Sequence, residues 1–412
     1  MRRSWTRRPS IEAGDRSGAK PVAHSDLVRL SCAALFFLAT LAAADSALAQ
    51  IQPSAKRLSA SQQQALRAKL NESTLFVATS HPSASYHGMA QNIAAVFGSS
   101  EDVRILAVAG HGGAQNLRDL LFLRGVDMAI VPTNVLAHAK ATEALGGGLP
   151  TRVAYITRLY SEELHLLVGR GVKSVEDLRG KKVAVPLEDG TAQFTAEDVF
   201  RRLALPVELV AGNPAEAVDK VRSGSVAAAL LLGGKPLPQF AGLPKDGSLR
   251  LLGLPFSPAM DEAYSPAVLA AEDYPLLIPP GQNVETLAVS PVLLTTSGKG
   301  SEESSRRIAK VIPALFGGLS ELALAHRHPK WREVNLAATL PGWSRFGAAE
   351  EWLTKAKEQQ AGSLQKRFEE FLRSARKPGS PDLTASEQKR LFDDFVSWTR
   401  KSLGDAGQSV RQ

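Results

Sequence analysis

From Thr74 onward, short and mostly apolar runs alternate with stretches of helical character. This alternation constrains the fold more than any other feature of the chain. Residues 75–78, 103–108 and 126–131 are the first three apolar runs. Between them, residues 86–97 and a segment opened by Gly112-Gly113 place apolar side chains at helical spacing. Strands that are apolar on both faces belong inside a sheet covered by helices on either side. Short strands alternating with helices of about 10–15 residues predict an α/β chain with a mostly parallel sheet.

The pattern then restarts. Residues 153–159 and 164–168 read as extended. Residues 174–180 read as a short helix with a serine start and a glycine stop. Strands are predicted at 182–186, 207–210, 226–232, 249–254 and 283–289, and helices at 191–203 and 214–222, the latter with proline in its first turn. One long helix is predicted over 301–325, with Pro313 inside it. Two α/β units result, roughly 74–160 and 165–280. Residues 50–72 are polar and read as a linker or a solvated helix. From Ala348 the chain is helical and charged, broken at Pro378-Gly379-Ser380-Pro381. A final helix starting near Thr384 or Ser386 carries Leu391, Phe392, Phe395, Val396 and Trp398. The expectation is a helical hairpin packed on the globule, with docking of a partner as the alternative.

The first fifty residues predict export. Arg2, Arg3, Arg7, Arg8, Arg16, Lys20 and Arg29 precede an apolar run of about fifteen residues, which is shorter than the ~20 a spanning helix needs. Ala47-Leu48-Ala49 follows, so cleavage is expected after Ala49 and a periplasmic location with it. Cys32, the sole cysteine, lies in the removed segment, which excludes disulfides and thiolate chemistry. The full chain holds 49 Lys and Arg against 41 Asp and Glu; removing the seven and four in residues 1–49 leaves 42 against 37, about +5. That mild and well-mixed charge argues against nucleic-acid binding.

Chemistry in an open parallel sheet collects at the carboxyl ends of the strands. Here those ends carry Thr79-Ser80-His81-Pro82-Ser83-Ala84-Ser85-Tyr86, Gly110-His111-Gly112-Gly113-Ala114-Gln115-Asn116, Pro132-Thr133-Asn134, Glu188-Asp189-Gly190-Thr191-Ala192-Gln193 and Gly233-Gly234-Lys235-Pro236. Several open helices, whose unpaired N–H groups favour an anion. Two such starts from opposite units would make a clamp. Nucleophile-elbow, zinc-protease, P-loop and dinucleotide motifs are absent from the sequence. His81, His87, His111 and His138 have mixed spacing that argues against a metal site, and His326-Arg327-His328 reads as a solvated helix end. Glu162-Glu163 and Glu188-Asp189 read as acidic pairs on solvated loops.

The segments Gly112-Gly113-Ala114-Gln115-Asn116-Leu117, Gly125-Val126-Asp127-Met128-Ala129-Ile130-Val131 and Ser174-Val175-Glu176-Asp177-Leu178-Arg179-Gly180-Lys181-Lys182-Val183-Ala184-Val185 resemble the TAXI class of TRAP-transporter solute receptors. The resemblance covers roughly residues 73–350. It implies a type II periplasmic binding protein: two α/β lobes, hinge strands near 159–168 and 281–292, and closure on a solute. The implied layout is lobe 1 over 74–162 and 288–345, lobe 2 over 163–287 and a helical extension over 346–412. Members of the class bind glutamate-like amino acids or other small carboxylates and feed a membrane permease. The implied site is Ser80, Ser85, Tyr86, Gly113, Ala114, Gln115, Asn116, Thr133, Asn134, Thr191, Ala192, Gln193 and Lys235. No catalysis, cofactor or metal is implied, and a monomer is expected. Two departures stand out: the first loop is usually glycine-rich but here is Ser80-His81-Pro82-Ser83-Ala84-Ser85, and Lys235 adds a charge suited to an anion. Two other readings are a sensing receptor for a membrane partner, and an enzyme in which His111, Asp189 and Ser85 converge.

Overall fold

The apolar runs fold into two sheets that share the chain unequally. The computed structural model describes residues 57–82, 84–97, 103–298, 302–324, 326–375, 383–384 and 386–397. The predicted signal segment with its cleavage site, Ser83 and Trp398 lie outside the described residues. The chain divides into two compact units, residues 1–67 and 68–412. In the first, residues 60–67 begin helix α1 (Ala60–Ser73), which has no buried residue. The polar segment before the first strand is therefore a solvated helix over much of its length.

In the second unit, the first sheet holds β1 (Thr74–Ala78), β2 (Arg104–Val108), β3 (Met128–Pro132), β4 (Val153–Arg158) and β12 (Pro291–Thr296), in the order β2-β1-β3-β12-β4. β1 runs parallel to both β2 and β3, while β12 is antiparallel to its two neighbours. Helices α2 (Ser85–Phe97), α3 (Gly113–Phe122), α4 (Thr133–Thr142) and the short α5 (Leu149–Arg152) connect these strands. Every residue of β3 is buried, because the strand is central and covered on both faces.

The second sheet holds β5 (Glu162–Gly169), β6 (Lys182–Val185), β7 (Glu208–Ala211), β8 (Ala228–Gly233), β9 (Leu249–Leu252), β10 (Ser265–Ala270) and β11 (Asn283–Val289). Its order is β10-β11-β5-β8-β6-β7, with β9 also pairing β5. Helices α6 (Gly190–Arg202) and α7 (Pro214–Arg222) pack on it, α7 opened by a capping box between Asn213 and Glu216. The chain passes from the first sheet to the second through residues 159–161 and returns through Ser290. Two α/β lobes are joined by these crossings. Each sheet has core on both faces, built in lobe 1 around Leu75, Ile130, Ile156, Leu117 and Val131, and in lobe 2 around Leu166, Val183, Leu167 and Leu231. A fully buried side chain of this kind contributes about 1.5–3 kcal/mol.

Three sequence expectations change. Residues 174–180 form only a 3-10 turn (Glu176–Leu178); Ser174 is not its cap, because the Asp177 carboxylate accepts the N–H groups of Lys173 and Ser174. The helix expected over 301–325 divides into α8 (Glu302–Gly317) and α9 (Leu319–Leu322). The break lies at Gly318, where a Cβ would sit 2.7 Å from the Phe97 ring. β10 was not foreseen: it carries Pro266, and it lies at the sheet edge, where a missing N–H costs nothing.

After the return to lobe 1, helix α10 (Gly347–Ala375) packs its first turns on α8. Ala349 and Leu353 are buried, and the Trp352 ring stands edge-on to Phe316 at 5.4 Å. Its far half pairs with helical residues 386–397: Phe368 meets Phe392 at 5.2 Å and Phe395 at 5.5 Å. This is the helical extension of the fold, closed by an aromatic cluster of its own.

Candidate functional site

The first loop of lobe 1 begins where β1 ends. Thr79 donates its N–H to the Val108 carbonyl at 2.9 Å and is fully buried, as is Ser80. The next strand end delivers Gly112, with φ 74° and ψ −167°, a conformation essentially reserved for glycine. A Cβ there would lie 2.8 Å from Cβ of Ser80 and 2.7 Å from Oγ1 of Thr191. Thr191 belongs to the start of α6 in lobe 2. The missing side chain is thus what lets the two lobes meet. Across this seam the Gly190 N–H donates to the His111 carbonyl at 2.8 Å. Asp189 caps α6 by accepting the Thr191 N–H at 2.9 Å.

Below the seam lies a buried polar cluster centred on Glu162, the first residue of β5. Its carboxylate is 2% exposed. It accepts the Ser85 hydroxyl, and the Tyr160 hydroxyl at 3.2 Å. The Tyr86 hydroxyl stands beside it without a well-formed hydrogen bond. Burial pushes the Glu162 carboxyl up to about 7; the hydroxyls pull it down, and the nearby Asp189 charge raises it further. Burial likewise raises Asp189, and holds Tyr86 and Tyr160 far above the ordinary phenol range. Among the described residues no lysine or arginine forms an ion pair with Glu162 or Asp189.

Three buried hydroxyls in this region form no well-aligned hydrogen bond within the protein: Ser80 Oγ, Tyr86 Oη beside Glu162, and Thr191 Oγ1 beside Asp189. Ser85 and Ala192, the chain neighbours of Tyr86 and Thr191, line a cavity of about 280 Å³ with walls from both lobes: Pro82, Ala84, Ser85, Gly88 and His328 on one side, Pro186, Asp189, Ala192, Gly233, Gly234 and Gln239 on the other. A second hollow of about 440 Å³ shares Asp189 and Gln239 and adds His81. A larger one of about 780 Å³ is walled by residues 245–255 and 275–285 of lobe 2 alone, far from the strand ends that carry the polar cluster.

The structure sorts the residues predicted for the site. Ser80, Ser85, Tyr86 and Thr191 gather at the cluster, and Ala192 lines the cavity. Gly113 packs against Gly190 and Thr191, Ala114 is exposed, and Gln115 is half-buried. Asn116 instead straps two strands together: its amide donates to the Ile130 carbonyl at 2.8 Å and more loosely to that of Ala78. Asn134 bridges the lobes, donating to Thr195 at 2.9 Å and Tyr264 at 3.2 Å. Thr133 donates to the Ala263 carbonyl at 3.0 Å. Gln193 pairs with Glu197 along α6. The Lys235 ammonium is held by Asp273 and the Val268 carbonyl, both at 2.8 Å, and supplies no charge to the cluster.

The acidic pairs read as solvated loops need correction. Glu162 and Glu163 open β5 and are both buried; Glu163 accepts the fully buried Lys330 ammonium at 2.8 Å, which also reaches Glu333 at 2.8 Å. Asp189 is a half-buried helix cap, and only Glu188 is exposed. The signal available beforehand was an acidic pair fused to the uninterrupted apolar run of β5 at the lobe crossing. His111, Asp189 and Ser85 do not converge: His111 Nδ1 faces the Glu188 carbonyl at 3.3 Å, while Ser85 is bonded to Glu162. Among the described residues no group of three His, Cys, Asp or Glu side chains could hold a metal ion. Nor, among the described residues, is any helix long and apolar enough to cross a membrane.

The profile of the NMT1-like family matches residues 77–341, and the chain belongs to that family. No curated protein matches the sequence. Solved structures similar to it include the periplasmic aliphatic sulphonate-binding protein SsuA from Escherichia coli, at 16% identity and a TM-score of 0.34, covering 79% of this chain and 92% of that one. A putative periplasmic sulfonate-binding protein from Methylobacillus flagellatus is similar at 13% identity and a TM-score of 0.38, over 63% of this chain and 72% of its own. The substrate-binding protein of an amino acid ABC transporter is similar at 14% identity and a TM-score of 0.36, over 61% and 97%.

Proposed function

We propose that this chain is an exported, non-catalytic solute receptor that closes two lobes on a small molecule and presents it to a membrane permease. The observation that carries the reading is the cavity between the lobes, lined by Pro82, Ser85 and His328 from lobe 1 and by Asp189, Ala192 and Gln239 from lobe 2. A polar-edged cavity with walls from both lobes is what a ligand-closed clamp requires. Lobe 1 is read as 74–162 with 288–345, and lobe 2 as 163–287. The resemblance of the Gly112-to-Leu117 and Ser174-to-Val185 segments to the TAXI class supports a TRAP-type permease as the partner, and a periplasmic monomer as the working form. The same resemblance implies a carboxylate on the solute.

The test is a metabolite panel read by thermal unfolding of the purified mature protein, with native mass spectrometry to detect a retained solute. A binder at one hundred times its Kd stabilises the protein by about 2.7 kcal/mol. A panel of amino acids, carboxylates, sulfonates and amines that leaves unfolding unshifted, with no retained solute, would refute the receptor reading.

A further inference from the structure

We infer that the solute's acceptor oxygens are held by two neutral N–H donors on opposite walls of the cavity, Nε2 of Gln239 in lobe 2 and Nε2 of His328 in lobe 1. This rests on the receptor reading and names the residues that read the solute, a role that sequence alone assigned to Lys235.

The loop after β8 forms much of the lobe 2 wall. Gly233, Gly234, Leu237, Pro238 and Gln239 line the cavity, and Gln239 lines the second hollow as well. The loop is tied down along its length. Glu163 accepts the Lys235 N–H at 3.0 Å, Tyr274 Oη accepts the Leu237 N–H at 2.9 Å, and Asp273 binds the Lys235 ammonium. Gly234 lies so close to the Lys330 side chain that a Cβ would sit 2.7 Å from its Cγ. Gln239 is the exception. Among the described residues its side chain forms no hydrogen bond, and its Oε1 is shielded from solvent. Nε2, with two N–H groups, is therefore the polar atom it brings to the lining.

On the lobe 1 wall, the His328 backbone N–H donates to Asn92 Oδ1 at 3.1 Å, and the ring tilts against that of Tyr160 with centroids 5.9 Å apart. Its Nδ1 accepts the Lys330 N–H at 3.3 Å, which leaves the proton of the neutral ring on Nε2. Burial and the Lys330 charge hold this imidazole below its ordinary range, in keeping with a neutral ring. Lys330 also ties the walls together: its ammonium reaches Glu163 at 2.8 Å, and Glu163 anchors the Gly234 loop. Asp189, the acid on the same lining, is taken up as the cap of α6. Two donors fixed in this way receive a carbonyl, carboxylate or sulfonate oxygen without rearrangement.

The test is isothermal titration calorimetry on the mature protein. Succinate, succinamide, glutamate and butane-1-sulfonate carry acceptor oxygens; putrescine carries none. The variants are Gln239→Leu, Gln239→Glu and His328→Asn. Leucine removes the donor, glutamate replaces it with an acceptor, and asparagine keeps a cap for the Lys330 N–H while its shorter side chain withdraws the donor from the cavity. Because Gln239 bonds to nothing in the protein, ligand-free Gln239→Leu should melt with the wild type. At least one acceptor-bearing probe is expected to bind the wild type and to lose about tenfold or more in every variant. Affinity unchanged in any variant, or putrescine binding while the other four do not, would overturn the inference and leave the receptor standing. Silence of all five probes overturns it too, and silence of the wider panel sinks the receptor reading with it.

Discussion

Replacing Glu162 by glutamine should make the ligand-free protein more stable at alkaline pH. The side chain is 2% exposed, and its carboxyl is raised from 4.5 to about 7. A raised acid binds its proton more tightly in the folded state than in the unfolded one. Below pH 4.5 both states are protonated and the group is neutral to stability. Between 4.5 and 7 the unfolded chain ionises while the folded one resists, and stability falls. Above pH 7 the full penalty is present, about 3 kcal/mol at ~1.4 kcal/mol per pH unit of displacement. Glutamine does not titrate, and its oxygen can still accept from Ser85 and Tyr160. Urea denaturation of both proteins without ligand, at pH 5 and pH 8, isolates the effect, because the other raised carboxyls titrate in both and cancel. The variant should gain about 3 kcal/mol on wild type at pH 8 and well under half of that at pH 5. A difference that does not change with pH, or a variant less stable at pH 8, would refute the claim that Glu162 is buried without a cation.

Three further outcomes are expected. Lys330→Met strands the Glu163 carboxylate in the interior and should cost about 3–5 kcal/mol at neutral pH, partly restored by adding Glu163→Gln; thermal unfolding of the four proteins of the cycle measures this. Gly112→Ala forces a side chain into a glycine-only conformation, worth about 1–3 kcal/mol, and onto Thr191 and Ser80. It should hold the lobes apart, seen as a larger radius of gyration by small-angle scattering; an unchanged radius and unchanged ligand affinity would contradict the role assigned to the seam. Asn116→Ala should lower stability by about 1–3 kcal/mol through the unpaired Ile130 carbonyl, yet leave solute affinity within twofold by calorimetry.

Much of the architecture was legible because burial writes itself into composition. The run at 126–131 is apolar on both faces, and β3 duly sits between β1 and β12. Legibility failed where a tertiary partner decides. Pro266 forbids a central strand but not an edge one, and position within a sheet is not written locally. Asn116 and Asn134 carry the residue type a ligand site wants at a helix start, and their amides are used up by Ile130 and by Thr195 and Tyr264. Glu162 was the reverse case: an acid read as solvated, because the hydroxyl that buries it belongs to Ser85, 77 positions earlier. The strand ends and helix starts located the region of the site, while its charge depended on which side chains the fold left without partners.

The placement of β12 has a consequence for the order in which the molecule assembles. Every strand of the second sheet comes from the contiguous stretch 162–289, so that lobe can be completed as soon as its own chain is available. The first sheet cannot. β12 must slot between β3 and β4, closing a loop of roughly 160 residues from the end of β3, at an entropic cost on the order of 4–5 kcal/mol. Until it arrives, β3 and β4 each present a bare edge, the geometry that invites pairing with another chain. Prior folding of the intervening lobe shortens the effective loop to little more than the two crossings. The later-made lobe therefore acts as the template on which the earlier-made one is finished, and mutations that weaken lobe 2 should slow the folding of lobe 1 as well.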